Sequence, residues 1–397
     1  MTQDLSPQVK ATIKATVPAL SEHGPAITAA MYELLFRDPQ IAALFNQANQ
    51  KSGAQLHALA GAIIAYAKHI DDLGALGPAV ERIAQKHIGY AILPEHYPHV
   101  ATALLAAIQK VLGEAATPEV MDAWGQAYWF LADILKGREA EIRDDLSAKT
   151  GSWTGWRRFV ITERRQESQT IMSFTLRPED GRPVLTHKPG QYLTLNFEAA
   201  GLPTVKRNYS ISCGPNSDYY RISVTREPGG AASGFLHDRA LPGTVVECTV
   251  PAGDFHLAEI PSRPVVLLSG GVGLTPMVSM LENITNRHPD LPVWYIHGTA
   301  SRATHALDSY VRGLARRHGK TSVATFYEQP DGSGEAHEGR ITLDWLKQNT
   351  PLEHADIYLC GPRPFLRKFV TELADEGVPA DRIHYEFFGP NDEALAA

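Results

Sequence analysis

The hydrophobic period of this chain changes twice along its 397 residues, and those two changes constrain the fold more than any other feature. Up to about residue 150, apolar side chains recur at three- and four-residue spacing: Ile27, Met31, Leu34 and Leu35; then Leu56, Leu59 and Ile63; then Val80, Ile83 and Ala84. That spacing places them on one face of successive helices, about six to eight in all. From about Gly151 the segments RRFVITERR, IMSFTLRP, YLTLNFEA, YRISVTRE and TVVECTVPA are short, β-branched and bounded by turn residues. They predict an antiparallel barrel or sandwich. From Pro264 the apolar strands PVVLLSGG, PVWYIHG, TSVATFYEQ, ADIYLCGP and RIHYEFFG alternate with helical stretches such as THALDSYVRGLARRHG and RPFLRKFVTELADEG. That alternation predicts βαβ units on a parallel sheet.

Turn-forming residues follow the same division. The first 150 residues hold 9 Gly and 8 Pro, against 23 Gly and 19 Pro in the remaining 247. The expected organisation is multidomain: an all-α domain over 1–147, an antiparallel β-barrel over 152–260 and an α/β parallel-sheet domain over 264–397. Net charge is 37 − 44 = −7, which disfavours a nucleic-acid coat or a polybasic membrane anchor. Cys213, Cys248 and Cys360 lie too far apart for a CxxC zinc site or a disulfide framework. No apolar run approaches the ~18 residues of a membrane span, and the N-terminus lacks a signal-peptide core. A cytoplasmic protein is expected.

The strongest local motif is VVLLSGGVGLTPM at 265–277. A strand runs into Gly270, Gly271, Val272 and Gly273, followed by Leu274 and Thr275, with a helix expected from Thr275-Pro276 and Thr275 as its cap. Glycines admit a phosphate close to the backbone, and a helix N-terminus supplies free N–H groups. Alone, the turn fits a tight strand–helix connection equally well, and its GxGxxP spacing is not the usual GxGxxG.

Two further motifs stand in order with it: Arg207-Asn208-Tyr209-Ser210, between predicted strands, and Cys360-Gly361-Pro362, at the end of one. Together they resemble the ferredoxin reductase-like superfamily, in which an FAD-binding β-barrel is joined to an NAD(P)-binding α/β domain. The resemblance implies that Arg207 pairs with the FAD pyrophosphate, Tyr209 stacks on the isoalloxazine and Ser210 bonds near its reactive nitrogen. Tyr192 matches another flavin contact, and Ser233, after Gly229-Gly230, matches the turn facing the phosphates. The segment Glu386-Phe387-Phe388-Gly389-Pro390 would cover the flavin, with Phe388 as the shield. Read without the family, Arg207 is a surface charge, Tyr209 a core aromatic, and the paired phenylalanines ordinary packing.

Six histidines fall in the helical region, and no two have zinc-ligand spacing supported by a third ligand. His87 lies on the apolar face of Val80–Ile88, where a buried hydrogen-bonded histidine is as admissible as a ligand. The fragments Tyr32-Glu33-Leu34-Leu35-Phe36, Leu44-Phe45-Asn46, Gln55 to Leu59, Ala84-Gln85-Lys86-His87, Leu93 to Tyr97, Asp122 to Gly125 and Arg138 to Glu141 resemble, in order, the globin domain of flavohaemoglobins. With the reductase attached, the resemblance spans essentially the whole chain.

The resemblance implies haem b held by His87, with Glu139 and Tyr97 bonded to its other nitrogen. A carboxylate there raises the basicity of the imidazole. On the distal side Tyr32 and Gln55 would hydrogen-bond a gas ligand, with Phe45 and Leu59 lining the haem face. Lys86 and Glu386 match positions that influence cofactor redox potential. Trp129, Phe387 and the Ser233-Gly234 turn depart from the family pattern.

The implied activity is nitric oxide dioxygenation, 2 NO + 2 O2 + NAD(P)H giving 2 nitrate, NAD(P)+ and a proton. FAD is required because the nicotinamide gives two electrons and iron accepts one. The expected partners are O2, NO and the nicotinamide, with no nucleic acid, no obligate protein partner and a monomeric chain. A haem-based gas sensor and a flavin reductase for an external acceptor remain open. The stretch His297 to Arg302 holds no acidic residue for a ribose 2′-OH. Arg302 fits a 2′-phosphate or plain solvation equally, so the residues do not distinguish NADH from NADPH; the resemblance leans to NADH.

Overall fold

A computed structural model describes residues 4–44, 54–202, 205–329, 332 and 334–389, without the side chains of 54–58. The described residues divide into two compact units, one up to Ala148 and one from Lys149 to Gly389.

The first unit is helical, as the three- and four-residue spacing predicts. Its described α-helices are α1 (Pro7–Ala15), α2 (Val17–Leu35), α3 (Pro39–Ala42), α4 (Ala54–Lys68), α5 (Gly77–Gly89), α6 (Tyr97–Leu112) and α7 (Pro118–Ser147). Ser6, Asp38 and Thr117 accept backbone N–H groups at the starts of α1, α3 and α7, and each of these helices opens on proline. Such caps satisfy donors that the helix leaves open. Ile13, Leu20, Ile27, Met31, Ile70, Ile108 and Trp124 form the core. No helix among the described residues is long and apolar enough to cross a membrane.

The second unit holds two sheets. The antiparallel one comprises β1 (Arg157–Gln166), β2 (Ile171–Pro178), β3 (Tyr192–Asn196), β4 (Lys206–Ser210), β5 (Tyr220–Thr225) and β6 (Val245–Cys248), in the order β4-β3-β6-β1-β2-β5. An Ile211–Ile222 bridge joins the two outer strands, with Ser212 N donating to Arg221 O at 2.7 Å, and closes the sheet into a barrel. Phe159, Phe174, Leu193, Leu195 and Ile222 fill it. Its α-helix among the described residues is α8 (Ala231–Asp238). The RNYS segment, expected between strands, lies in the outer strand β4, whose five residues pair with β3 from Tyr192–Ser210 to Asn196–Lys206.

The parallel sheet runs β10-β9-β8-β7-β11-β12. Its strands are β7 (Val265–Gly270), β8 (Val293–Thr299), β9 (Thr321–Tyr327), β10 (His337–Glu338), β11 (Asp356–Cys360) and β12 (Ile383–Glu386). Helices α9 (Leu274–Arg287), α10 (Asp308–His318), α11 (Leu343–Asn349) and α12 (Arg363–Asp375) connect them. β7 is buried along its whole length, which explains its continuous apolar run. The strand order reverses between β7 and β11, the place where open α/β sheets bind ligands.

One local expectation is corrected here. The helix after the glycine turn starts at Leu274 with Gly273 as its cap, so Thr275 sits inside the first turn. Its hydroxyl donates to Val272 O at 3.1 Å instead of capping the helix. A single-turn 3-10 helix over Gly271–Gly273 accounts for the shift.

Candidate functional site

His87 lies in the last turn of α5, Tyr97 opens α6, and Glu139 projects from the middle of α7. The packing of α5 and α6 on α7 brings the three side chains together. His87 Nδ1 is 2.6 Å from Glu139 Oε1 and 3.1 Å from the Tyr97 hydroxyl. The Tyr97 hydroxyl itself donates to Glu139 Oε1 at 2.5 Å. Both histidine contacts use Nδ1, so that nitrogen carries the proton toward the carboxylate and the lone pair belongs to Nε2.

Glu139 is wholly buried. Burial alone would raise its pKa, but hydrogen bonding to His87, joined by Tyr97 and Arg143, holds the carboxyl below its ordinary range. Burial, with the Glu139 carboxylate beside it, pushes the Tyr97 phenol up. Two residues not singled out from the sequence complete the cluster. Arg143 donates to Glu139 Oε2 at 3.3 Å and to Ile92 O at 2.5 Å, and Tyr128 donates to Tyr97 O at 2.7 Å. Arg143 was legible in principle, lying four residues after Glu139 on one helix.

Elsewhere in this unit Tyr32 is buried on α2, its ring stacked on Phe36 at 5.3 Å. Leu59 is half-buried on α4 against the core, and Lys86 half-buried beside His87. Phe45 and the Gln55 side chain lie outside the described residues. Trp129 is exposed, with the Lys136 ammonium 5.5 Å from its ring centre. That departure from the family pattern therefore sits on the surface of α7, away from the buried face carrying Glu139.

In the barrel, β4 is buried at its ends, Lys206 and Ser210, with Asn208 exposed at its centre and Arg207 and Tyr209 half-buried. Burial holds the Tyr209 phenol above its ordinary range. Asn208 accepts a hydrogen bond from Thr194 at 3.0 Å. Tyr192 packs its ring over Gly253, at which a Cβ would come within 3.0 Å of the ring. Ser210 Oγ is buried without a hydrogen-bond partner, an arrangement that suits a ligand supplying the missing bond. Ser233 is buried in the first turn of α8, whose Gly230 cap places backbone N–H groups at the helix start. A Cβ at Gly234 would meet nothing within 4 Å, so a larger residue at this turn has room.

The two turns of the parallel sheet meet at its reversal point. Cys360 at the end of β11 is opposite Ser269 of β7. Gly271 has φ +55°, a left-handed conformation suited to glycine. A Cβ on Gly273 would lie 2.1 Å from Cys360 O, and one on Gly361 3.2 Å from Gly270 N. Larger residues would force the turns apart. Pro362 caps α12, Leu274 and Thr275 are buried, and Val272 is half-buried. Burial, with Glu386 opposite it on β12, raises the Cys360 thiol pKa. Phe387 lies under the Arg363 guanidinium at 5.0 Å, Gly389 leaves room for the Phe387 ring, and Phe388 is exposed. Pro390 lies outside the described residues.

These residues fit the cofactors that the sequence implies. One imidazole with Nε2 as its lone-pair nitrogen and a carboxylate on Nδ1 is a donor set for haem iron. The unpartnered Ser210 hydroxyl and half-buried Arg207 on one strand suit a flavin, and the clasped glycine turns suit a nucleotide diphosphate.

The family model for the globins matches residues 28–135, that for oxidoreductase FAD-binding domains matches 158–257, and that for oxidoreductase NAD-binding domains matches 267–371. A flavohemoprotein of Xylella fastidiosa (strain 9a5c) is 62% identical over 397 residues, covering 100% of both chains. One from Bordetella parapertussis is 44% identical, covering 97% of this chain and 98% of the relative. Among solved structures, a flavohemoglobin from Malassezia yamatoensis with bound FAD and haem superposes with a TM-score of 0.88 at 27% identity. It covers 98% of this chain and 100% of that one.

Proposed function

The chain belongs to the flavohaemoprotein family, and we propose that it acts as an NAD(P)H-dependent nitric oxide dioxygenase that converts NO and O2 to nitrate. When bound, FAD divides the hydride electron pair from NAD(P)H into single electrons, and the haem iron provides the site at which the two gases combine. The observation that carries the reading is the buried Glu139 carboxylate 2.6 Å from His87 Nδ1. A carboxylate there gives the imidazole partial imidazolate character, which favours oxygen activation over reversible storage.

The remaining residues take the roles that the resemblance implies. His87 holds iron through Nε2, with Glu139 and Tyr97 bonded to its other nitrogen. Tyr32, with Gln55, donates to a gas ligand, and Phe45 and Leu59 line the haem face. Arg207 pairs with a pyrophosphate, Tyr192, Asn208, Tyr209 and Ser210 contact the flavin, and Ser233 presents the start of α8 to phosphate. Gly270 through Thr275 and Cys360 through Pro362 receive the nicotinamide dinucleotide. Glu386 through Pro390 close over the flavin, and Lys86 and Glu386 adjust the potentials.

Stopped-flow NO consumption under NADH and oxygen tests this reading. Sustained turnover with nitrate formed one-for-one with NO is the expected outcome. Binding without turnover would show a sensor, and a reductase rate unchanged by haem removal would show a general flavin reductase.

A further inference from the structure

The helix that carries His87 ends in a left-handed turn. Ile92 N donates to His87 O at 2.9 Å, and Ala91 N donates to Ile88 O at 3.1 Å. This pair of bonds is the Schellman arrangement, in which the residue just past the helix takes a left-handed backbone. Here that residue is Ala91, at φ +54°. Glycine adopts this conformation freely, whereas a Cβ makes it costly, so contacts from outside the turn must hold it in place.

Ile92 provides two such contacts. Its side chain packs on the cluster of Tyr97, Ala132 and Leu135, and its carbonyl accepts from Arg143 Nη2 at 2.5 Å. The same Nη2 lies 3.3 Å from Glu139 Oε2. Glu139 Oε1 is the oxygen that takes both His87 and Tyr97. One nitrogen of Arg143 therefore serves the backbone cap of the helix bearing His87 and the far oxygen of the carboxylate on its ring. An ordinary i,i+4 ion pair on a helix surface would stop at the carboxylate. Here the carboxylate is wholly buried, and the bond to Ile92 O fixes where the guanidinium stands.

We propose that Arg143 is a positioning residue for His87: anchored on Ile92 O, it draws charge toward Glu139 Oε2 and so limits how strongly Oε1 pulls on the His87 Nδ1 proton. A carboxylate shares one negative charge between two oxygens, and a cation on one makes the other a weaker acceptor. The strength of that acceptor governs how much electron density the imidazole passes to a metal on Nε2. Glu139 supplies the push, and Arg143 sets its size. The inference rests on the reading of His87 as the iron ligand and adds the residue that adjusts the bond.

The test compares the full-length holoprotein with its Arg143→Met and Arg143→Lys variants. It reads the iron–histidine stretching frequency of the reduced protein by resonance Raman, and the haem reduction equilibrium against a redox dye. Methionine fills the space and removes the cation, so the frequency should rise, opposite to the fall expected of Glu139→Gln. The equilibrium should move roughly two- to fivefold toward oxidised haem, the range a partly exposed ion pair is worth. Lysine keeps a cation beside Oε2 and should reverse most of both changes. A frequency that stays or falls in Arg143→Met overturns the proposal, as does a rise that lysine does not reverse; either result would leave Arg143 a plain support of the helix end. Should Arg143→Met fail to fold, Ala91→Gly combined with it supplies the left-handed turn without the arginine, and the same two readouts decide. A normal Soret band in His87→Ala would remove the ligand reading itself, whereas haem held by His87 with an unmoved frequency would remove this inference alone.

Discussion

Glu139 Oε1 lies 2.6 Å from His87 Nδ1 across a separation of 52 residues, and the carboxylate is wholly buried while the imidazole is half-exposed. An ionised carboxylate without solvent is costly unless it is paired and fully hydrogen-bonded. Here His87, Tyr97 and Arg143 all serve it. Glu139→Gln keeps the volume and removes the charge. The variant should load haem but show a lower iron–histidine stretching frequency by resonance Raman. NO turnover should fall by roughly ten- to a hundredfold, the usual effect of losing an outer partner of a metal-bound histidine. An unchanged frequency would mean that the carboxylate does not act on the iron through His87.

His87→Ala removes the proposed iron ligand without touching the second unit. Haem loading should fail, while FAD content and NADH-driven dye reduction persist. A normal Soret band in this variant would take the ligand role away from His87.

Arg207→Ala combined with Ser210→Ala probes the flavin in the same way. Ser210 Oγ is buried with no hydrogen-bond partner, and a flavin is expected to supply one. The double variant should purify with little FAD, with haem still bound and reducible by dithionite. Full flavin content would place the FAD away from β4.

His187 joins the barrel to α9. Its Nε2 lies 3.1 Å from Cys213 O and 3.2 Å from Ser279 Oγ, while Nδ1 is buried without a hydrogen-bond partner. Burial lowers its pKa from 6.5 to about 4, because a second ring N–H would have nothing to bond. The unfolded chain therefore binds the proton first as pH falls. The stabilisation is complete above about pH 6.5 and is lost progressively down to about pH 4. At ~1.4 kcal/mol for each pKa unit, the loss is as much as about 3 kcal/mol. His187→Gln retains a donor near Cys213 O and cannot titrate, so denaturant midpoints measured between pH 7 and 4 should decline less steeply. Equal slopes for both proteins would rule out His187 as the source.

The architecture was legible because hydrophobic period reports directly on which face of an element is buried. The site was less so. Glu139, in REAEIRDD, reads as one charge of an exposed helix end unless the family is considered. Yet Leu135, Glu139 and Ile142 occupy one stripe of α7, and all three are buried, so the carboxylate interrupts an apolar face. The outer strand β4 does not read as a strand because two of its five residues are charged, which breaks the apolar pattern expected of one. Thr275 looked like a cap because a threonine before a proline usually is one. The 3-10 turn that displaces it depends on Gly273 passing against the Cys360 carbonyl, a contact between distant parts of the chain.

Tyr32 offers the most specific test of the chemistry. Its ring is buried and stacked on Phe36 at 5.3 Å, so Tyr32→Phe should keep both the fold and haem loading and remove only the hydroxyl. A hydrogen bond to a strongly polarised acceptor in a dry pocket is worth roughly 1.5–3 kcal/mol, and about 1.4 kcal/mol is tenfold in a rate. Oxygen should therefore leave the reduced protein roughly ten- to a hundredfold faster, if the whole bond energy appears in the off-rate. NO dioxygenation should fall most when oxygen is scarce. Carbon monoxide accepts hydrogen bonds poorly, so its dissociation should change much less. Flash photolysis of both gases on the two proteins separates the cases. Equal changes for the two gases would make Tyr32 a steric wall, and no change for either would place it outside the gas pocket.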